Sequence, residues 1–344
     1  MNMLSKLFES NDIGIDFGSA NMRAWVKGNG LVLEEPAVAA LKVRPDAKSI
    51  QVLSVGSEAG GYLGKTPGSI VAVRPFKAGI IPECDVTERM LGYCLAKVDE
   101  GKFRKPRVVI AVPSGITEVE KCAVEEAARS AGARNVFLVE SIMAAAIGAG
   151  IPIAEPKGTM VVDIGASMTK IAVVSLGGIV GCNAISIGGD AMDDAIVAYL
   201  RKKYNLLAGE REAEDVKIKI GTACPPDKEL EYEIKGIDAT EGRRLAVKID
   251  SKEIREKALA GLLDQIEDGL REFIAHIESG LAADIADNGI VLTGGGALLS
   301  GLDKRFADAT GLSVRVADNP AHATIEGVGC VLEHLDMLAK DNRK

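Results

Sequence analysis

An α/β chain of two domains, or of one domain built twice, is what this amino-acid sequence predicts. Three observations lead there. The chain has 344 residues, too many for one ordinary core. Short apolar strands alternate with helical spacings along most of it. One turn, finally, is made twice. "IGIDFGSANMRAWVKG" (13–28) and "VVDIGASMTKIAVVSL" (161–176) align on Asp16 and Asp163 as D-x-G-small-small-x-x-basic-apolar. Gly18 then matches Gly165, and Arg23 matches Lys170.

The elements follow in order. Residues 13–40 read as paired strands with turns at Gly28-Asn29-Gly30, and the mixed, glycine-rich stretch 41–76 reads as a small inserted subdomain. Met90, Leu91, Cys94, Leu95 and Val98 have helical spacing within 85–100. The β-branched run 107–113 predicts a buried strand. A helix over 118–133 ending at Gly132, a strand over 135–141 and a small-residue helix from 142 complete the first half. The pattern then restarts with a second hairpin over 159–188 and a helix over 190–205. Residues 206–250 are polar and alternating, as in a second inserted subdomain, and 253–280 is a long amphipathic helical region. Strand, glycine turn and helix span 289–311, a last strand spans 314–320, and a closing helix follows.

Composition narrows the function. A net charge of −8 argues against broad nucleic-acid binding by phosphate neutralisation, and 4% aromatic residues argue against a stacking surface. The six cysteines form no C-x-x-C, which predicts buried, reduced thiols. His276, His322 and His334 lack metal-ligand spacing, against a zinc site or a histidine triad. No run of 18 uninterrupted apolar residues and no secretory h-region is present. Met1, Met3, Leu4, Leu7 and Phe8 share roughly one helical face. That face suits a membrane interface, or equally a terminus that packs Leu7 and Phe8 on the body.

The repeated turn has a chemistry. Consecutive backbone N–H groups flanked by small side chains make a nest for phosphate. An aspartate beside it repels phosphate directly but holds Mg²⁺ through water, which suits an ion that keeps its hydration shell. Two such turns facing each other would clamp a polyphosphate from both sides. One copy alone is an ordinary hairpin turn; two copies and a third glycine turn, Thr293-Gly294-Gly295-Gly296, are a stronger signal. The third turn offers bare backbone to a base or sugar, or simply starts a helix. Arg23 and Lys170, each seven residues after its aspartate, either add charge near the phosphates or face solvent and nearby carboxylates.

These residues carry a resemblance. The D-x-G hairpins, VESIMAAAIGAG, LTGGGALL and IEGVG resemble the actin-type ATPase superfamily. Within it, LGKTPGSIVAVRPFKAGII (63–81), RVVIAVPSGITEVEK (107–121), SIGGDAMDDAIVAYLRKKYN (186–205) and AEDVKIKIG (213–221) are similar to the MreB bacterial actins, over about 12–335. The resemblance implies an actin-like, duplicated ribonuclease-H-like fold of two domains and four subdomains, with ATP or ADP and Mg²⁺ in a central cleft. It implies an N-terminal amphipathic segment over 1–12, subdomain IA over 13–32, 77–143 and 315–344, and IB over 33–76. IIA would take 144–187 and 251–314, and IIB 188–250. It implies magnesium-side aspartates at Asp16 and Asp163, a first phosphate loop of Gly18, Ser19, Ala20 and Asn21, and a second of Gly165, Ala166 and Ser167 with Gly189. Glu214 and Lys217 would contact ribose and adenine, and Gly294, Gly295, Gly296 and Ala297 would form the adenosine loop. The implied partners are further copies of the chain in paired antiparallel protofilaments, wall-synthesis membrane proteins, and the inner face of the cell membrane. Met3, Leu4, Leu7, Phe8 and the loop around Phe103 would touch that membrane from the cytoplasm.

Departures from the family pattern fall where hydrolysis belongs. The water-orienting glutamate is replaced by Ser141, with Glu140 one residue before it. The threonine that helps to hold the water is Met168, and Ala166 and Ser167 bring Cβ atoms where the family has glycine. Lys219 stands where a glutamate is common. Hydrolysis is therefore expected to be weak or absent, so the chain is read first as a filament former. A non-hydrolysing paralogue that scaffolds or caps another filament is the alternative, ahead of an actin-fold kinase or a chaperone-type ATPase.

Overall fold

The computed structural model describes residues 12–42, 51–63, 65, 69–76, 84–98 and 104–336. The expected membrane contacts Met3, Leu4, Leu7, Phe8 and Phe103 lie outside them. The chain divides into two compact units at Ile151/Pro152 and at Ala321/His322. Unit one holds β1 (Asp12–Phe17), β2 (Asn21–Val26), β3 (Gly30–Pro36), β4 (Ala39–Lys42), β5 (Gln51–Val55), α1 (Ser57–Gly60) and β6 (Ile70–Val73). It continues with α2 (Cys84–Val98), β7 (Arg107–Val112), α3 (Glu118–Ser130), β8 (Asn135–Glu140) and α4 (Ser141–Gly148). Unit two begins with β9 (Thr159–Ile164), β10 (Thr169–Ser175), β11 (Gly178–Ile185), α5 (Gly189–Tyr204), β12 (Leu206–Leu207), α6 (Glu210–Ile220), β13 (Glu231–Asp238) and β14 (Arg244–Asp250). After α7 (Ser251–Glu253), a π-helical turn over Ile254–Leu259 leads into α8 (Ala260–Ala275) and α9 (Ser279–Asn288). Then come β15 (Ile290–Thr293), a 3-10 turn (Gly295–Leu298), α10 (Leu302–Thr310) and β16 (Val314–Val316). The chain returns to unit one for α11 (Ala323–Glu333).

The duplication is visible in the two large sheets, ordered β3-β2-β1-β7-β8 and β11-β10-β9-β15-β16. Each is an antiparallel three-strand meander to which two parallel strands are added, β7 and β8 on β1, β15 and β16 on β9. Central strands such as β7, with Val108 to Val112 all buried, are apolar on both faces because helices cover both. In β2 the buried residues alternate: Met22, Ala24 and Val26 enter the core with Ile13, Ile15, Met90 and Leu91. The opposite face takes α11, which seats Val328 and Leu332 over Gly14, where an added Cβ would lie 2.4 Å from Val328 Cγ1. Unit two has one continuous core, in which Met192, Ile196 and Leu200 of α5 meet Ile234, Ile249, Leu263 and Phe306.

Helices α4 and α11 touch backbone to backbone. A Cβ on Gly148 would stand 1.9 Å from the carbonyl oxygen of Ala323, and one on Gly327 would stand 1.8 Å from that of Ala144. This contact corrects one expected boundary. Residues 144–148 belong with unit one because α4 packs on α11, and the chain crosses at Ile151/Pro152 rather than at 143/144. The second crossing is also later than expected, at Ala321/His322 rather than 314/315, because β16 pairs with β15. Likewise β3 runs to Pro36 within the large sheet, so residues 33–36 are not part of the small β5-β4-β6 sheet.

Cysteine burial departs from expectation as well. Cys94 is buried, but Cys122, Cys182 and Cys330 are exposed on α3, β11 and α11. Apolar neighbours in sequence did not place them on inner faces. No helix among the described residues is long and apolar enough to cross a membrane.

Candidate functional site

Both D-x-G turns have one geometry. In unit one, Phe17 pairs with Met22 and Asp16 with Arg23; in unit two, Ile164 pairs with Thr169 and Asp163 with Lys170. Four residues therefore span each bend, Gly18–Asn21 and Gly165–Met168. A Cβ on Gly18 would lie 3.0 Å from Asn21 O, and one on Gly165 would lie 3.3 Å from Met168 O, the same contact at the same place. Each turn follows a strand at the carboxyl end of its parallel set, where α/β sheets present ligand sites.

The unit-one turn is anchored from behind. Ser19 Oγ donates to Phe76 O at 3.0 Å, Ala37 N donates to Ala20 O at 2.8 Å, and Phe17 stacks on Phe76 at 4.8 Å. Asp16 is 7% exposed. Arg23 donates through Nε to Glu34 Oε1 at 2.8 Å, while its Nη1 stands 3.8 Å from Asp16 Oδ2. Burial alone would raise the Glu34 carboxyl, but hydrogen bonds from His322 and Arg23 hold it below the usual range. Beyond β1 in the sheet, Ala111 pairs with Asp16 and Val112 with Glu140. Glu140 thus lies about two strand spacings from Asp16, on the order of 10 Å. It is exposed and serves as the N-cap of α4 without a side-chain cap bond, and Ser141 is the first helical residue.

In unit two, three elements converge on the second turn. Gly165 N donates to Met168 O at 2.9 Å, closing the bend. Its carbonyls then receive the start of α5: Gly189 N donates to Gly165 O at 3.0 Å and Asp190 N to Ala166 O at 2.7 Å. The glycine turn at 294 packs on the end of β9, since Thr293 pairs with Asp163 and donates Oγ1 to Asp163 Oδ1 at 3.1 Å. Gly294 has φ +81°, and a Cβ there would meet Ile164 O at 2.3 Å. Only glycine combines that conformation with that approach. Gly294 N is satisfied by Pro320 O at 2.8 Å.

Sequence reasoning missed the role of Asp193. It lies one helical turn into α5, buried, and accepts from Lys217 Nζ at 2.7 Å, while Lys217 also donates to Gly189 O at 3.0 Å. The Lys217 ammonium therefore ties α6 to the start of α5, and Glu214 stands exposed on the same helix. Desolvation pushes the Asp193 carboxyl up to about 6 despite the lysine. Its second oxygen, Oδ1, is buried without a hydrogen-bond partner, which fits a group that takes up a proton. The folded pKa exceeds the unfolded value of 3.8, so the native state binds the extra proton and stability falls as pH rises from 3.8 to about 6. Asp193→Asn should remove that part of the slope. Urea unfolding of both proteins across this window checks it, and parallel curves would refute it.

The residues present suit a hydrated magnesium ion. Taken by itself, each turn offers one carboxylate, Asp16 in unit one and Asp163 in unit two. An ion held at either turn would keep most of its shell as water, as magnesium prefers.

A family profile described as MreB/Mbl protein matches residues 10–340. The chain belongs to the MreB/Mbl family. Among curated MreB/Mbl relatives, the cell shape-determining protein Mbl of Bacillus cereus is 45% identical over 334 residues, 96% of this chain and 98% of that one. The cell shape-determining protein MreB of Escherichia coli is 44% identical over 334 residues, 96% of each. Among solved structures, MreB5 of Spiroplasma citri bound to AMPPNP superposes with a TM-score of 0.88 at 33% identity, over 97% of this chain and 99% of that one. A MamK double helical filament shares the fold at 19% identity, with a TM-score of 0.75 over 94% of this chain and 99% of that one. This MreB/Mbl chain thus has the actin-like fold.

Proposed function

We propose that this MreB/Mbl chain binds ATP and ADP with Mg²⁺, assembles with copies of itself into filaments, and helps to determine cell shape. The observation that carries the reading is the matched pair of D-x-G turns, joined in unit two by the Gly294 turn. Asp16 and Gly18–Asn21 supply the unit-one contacts to magnesium and phosphate. Asp163, Gly165, Ala166, Ser167 and Gly189 supply those of unit two, and Glu214, Lys217 and Gly294–Ala297 take the nucleoside. Support comes from the MreB5 structures, one bound to AMPPNP and one to ADP, and from relatives described as cell shape-determining. By family resemblance the filaments are paired antiparallel protofilaments on the inner face of the membrane, working with wall-synthesis membrane proteins.

Ser141 and Met168 favour slow or absent hydrolysis. They also favour a second reading, in which the chain scaffolds or caps another filament without cycling. Negative-stain microscopy without nucleotide, with Mg-ATP and with Mg-ADP separates the two. Filaments that require ATP support nucleotide-gated assembly. Filaments in every condition mean assembly uncoupled from binding, and none in any condition favours the cap or scaffold.

A further inference from the structure

The Lys217 ammonium has three donors, and two of them are committed within unit two. One goes to Asp193 Oδ2 at 2.7 Å and one to Gly189 O at 3.0 Å. The cradle is tight, since a Cβ on Gly189 would stand 3.2 Å from Lys217 Nζ. It is also shielded: 15% of the lysine side chain and 5% of the aspartate side chain are exposed. The contrast lies two residues on. Lys219 of the same helix is half exposed and finds Asp215 and Tyr232 on the surface.

Joining two helices does not by itself call for this arrangement. The Asp193 carboxylate uses Oδ2 alone, and Oδ1 is buried with no hydrogen-bond partner, a costly state for an ionised group. What the aspartate does supply is aim. A lysine swings on a flexible four-carbon stem. Glu214 lies one turn earlier on α6, within i,i+3 reach of a released ammonium. We infer that Asp193 is a positioning residue: with Gly189 O it fixes the Lys217 ammonium so that the third N–H donor is aimed at an acceptor atom of the nucleoside, on the sugar or the base. The inference rests on the nucleotide reading above, which sets Lys217 against the nucleoside, and it names what holds the lysine there. Asp193 acts through the lysine, because its own oxygens are out of a ligand's reach, Oδ2 engaged and Oδ1 buried.

Two ligands separate aiming from a purely structural tie. The full chain is titrated with Mg-ADP and with Mg-pyrophosphate, which has phosphates and no nucleoside. The titration is run at about pH 7.5, above the Asp193 value of about 6, so that the pair is ionised. Asp193→Ala should weaken ADP about tenfold, the size of one charge-assisted hydrogen bond, and leave pyrophosphate within about twofold of wild type. Lys217→Met should give the same split. The double variant should bind ADP no more weakly than Lys217→Met alone, because the aspartate acts only through the lysine. That comparison decides by itself if pyrophosphate binds too weakly to read. Asp193→Asn keeps the shape and loses the charge; it serves where the alanine variant folds poorly and should show the same split at smaller amplitude. Unchanged ADP affinity, equal weakening of both ligands, or a further loss in the double variant overturns the inference while leaving nucleotide binding intact. A wild-type chain that binds neither ligand overturns the nucleotide reading and this inference together.

Discussion

Gly327→Ala should destabilise unit one by about 3 kcal/mol, the upper end of ordinary overpacking costs. Most buried substitutions are relieved by a side chain changing rotamer. Here the added methyl would lie 1.8 Å from Ala144 O and 2.6 Å from Ala144 C, both backbone atoms in the neighbouring helix. Relief requires α4 and α11 to separate. Separation in turn lifts Val328 and Leu332 from Val109 and Ala111 in the sheet beneath. Gly148→Ala meets the reciprocal obstacle at Ala323 O and should behave alike. Gly92→Ala in α2 is the control, since an added Cβ there has nothing within 4 Å. It should stabilise by roughly 0.5–1 kcal/mol through helix propensity alone. Urea unfolding of the three variants decides the matter, and a Gly327→Ala protein as stable as wild type would remove the close contact from the argument.

Supplying the water-positioning groups that the resemblance to bacterial actins implies should have the second large effect. Ser141→Glu with Met168→Thr is expected to raise phosphate release about 10²–10⁴-fold, the span that general-base groups contribute. Both sites tolerate the change. Ser141 opens α4, whose first turn has no acidic residue, and a glutamate there is favoured by the helix dipole. Met168 closes its turn through its backbone oxygen, which threonine retains. Each single variant should gain less than the pair. A double variant that binds ATP as wild type does yet releases phosphate no faster would mean that hydrolysis is limited elsewhere.

Much of this was legible because the signals were local. The repeated D-x-G pattern fixed a common bend, and the expected equivalence of Arg23 and Lys170 is met by their identical pairing with Asp16 and Asp163. Glu34 was not legible. It sits on a third strand, and a bulge between Ala24 and Trp25 shifts the register that would have pointed to it. Helix α6 was hidden for another reason. Only Ala213, Val216 and Ile220 face inward, so its polar remainder resembled the alternating strands that follow. The unit boundaries were obscured by composition: the small residues of α4 say that something packs closely, but not which helix does. Asp193 escaped notice because an acid within a helix gives no sequence sign that its partner, Lys217, comes from the next helix.

The split at Ile151 and Ala321 bears on how the chain is made. Unit two is one unbroken segment and is fully synthesised before α11 exists. Unit one cannot close until α11 emerges, and through that interval the sheet surface around Gly14 and Trp25 lacks its cover. At ribosomal rates of about 5–20 residues per second, unit two has time to fold first. A nascent chain stalled with residue 321 clear of the ribosome should therefore protect unit two from protease and leave unit one open to it. Helix α11 acts as the lock on β1 and β2, so its late arrival governs when a newly synthesised unit one is fully closed.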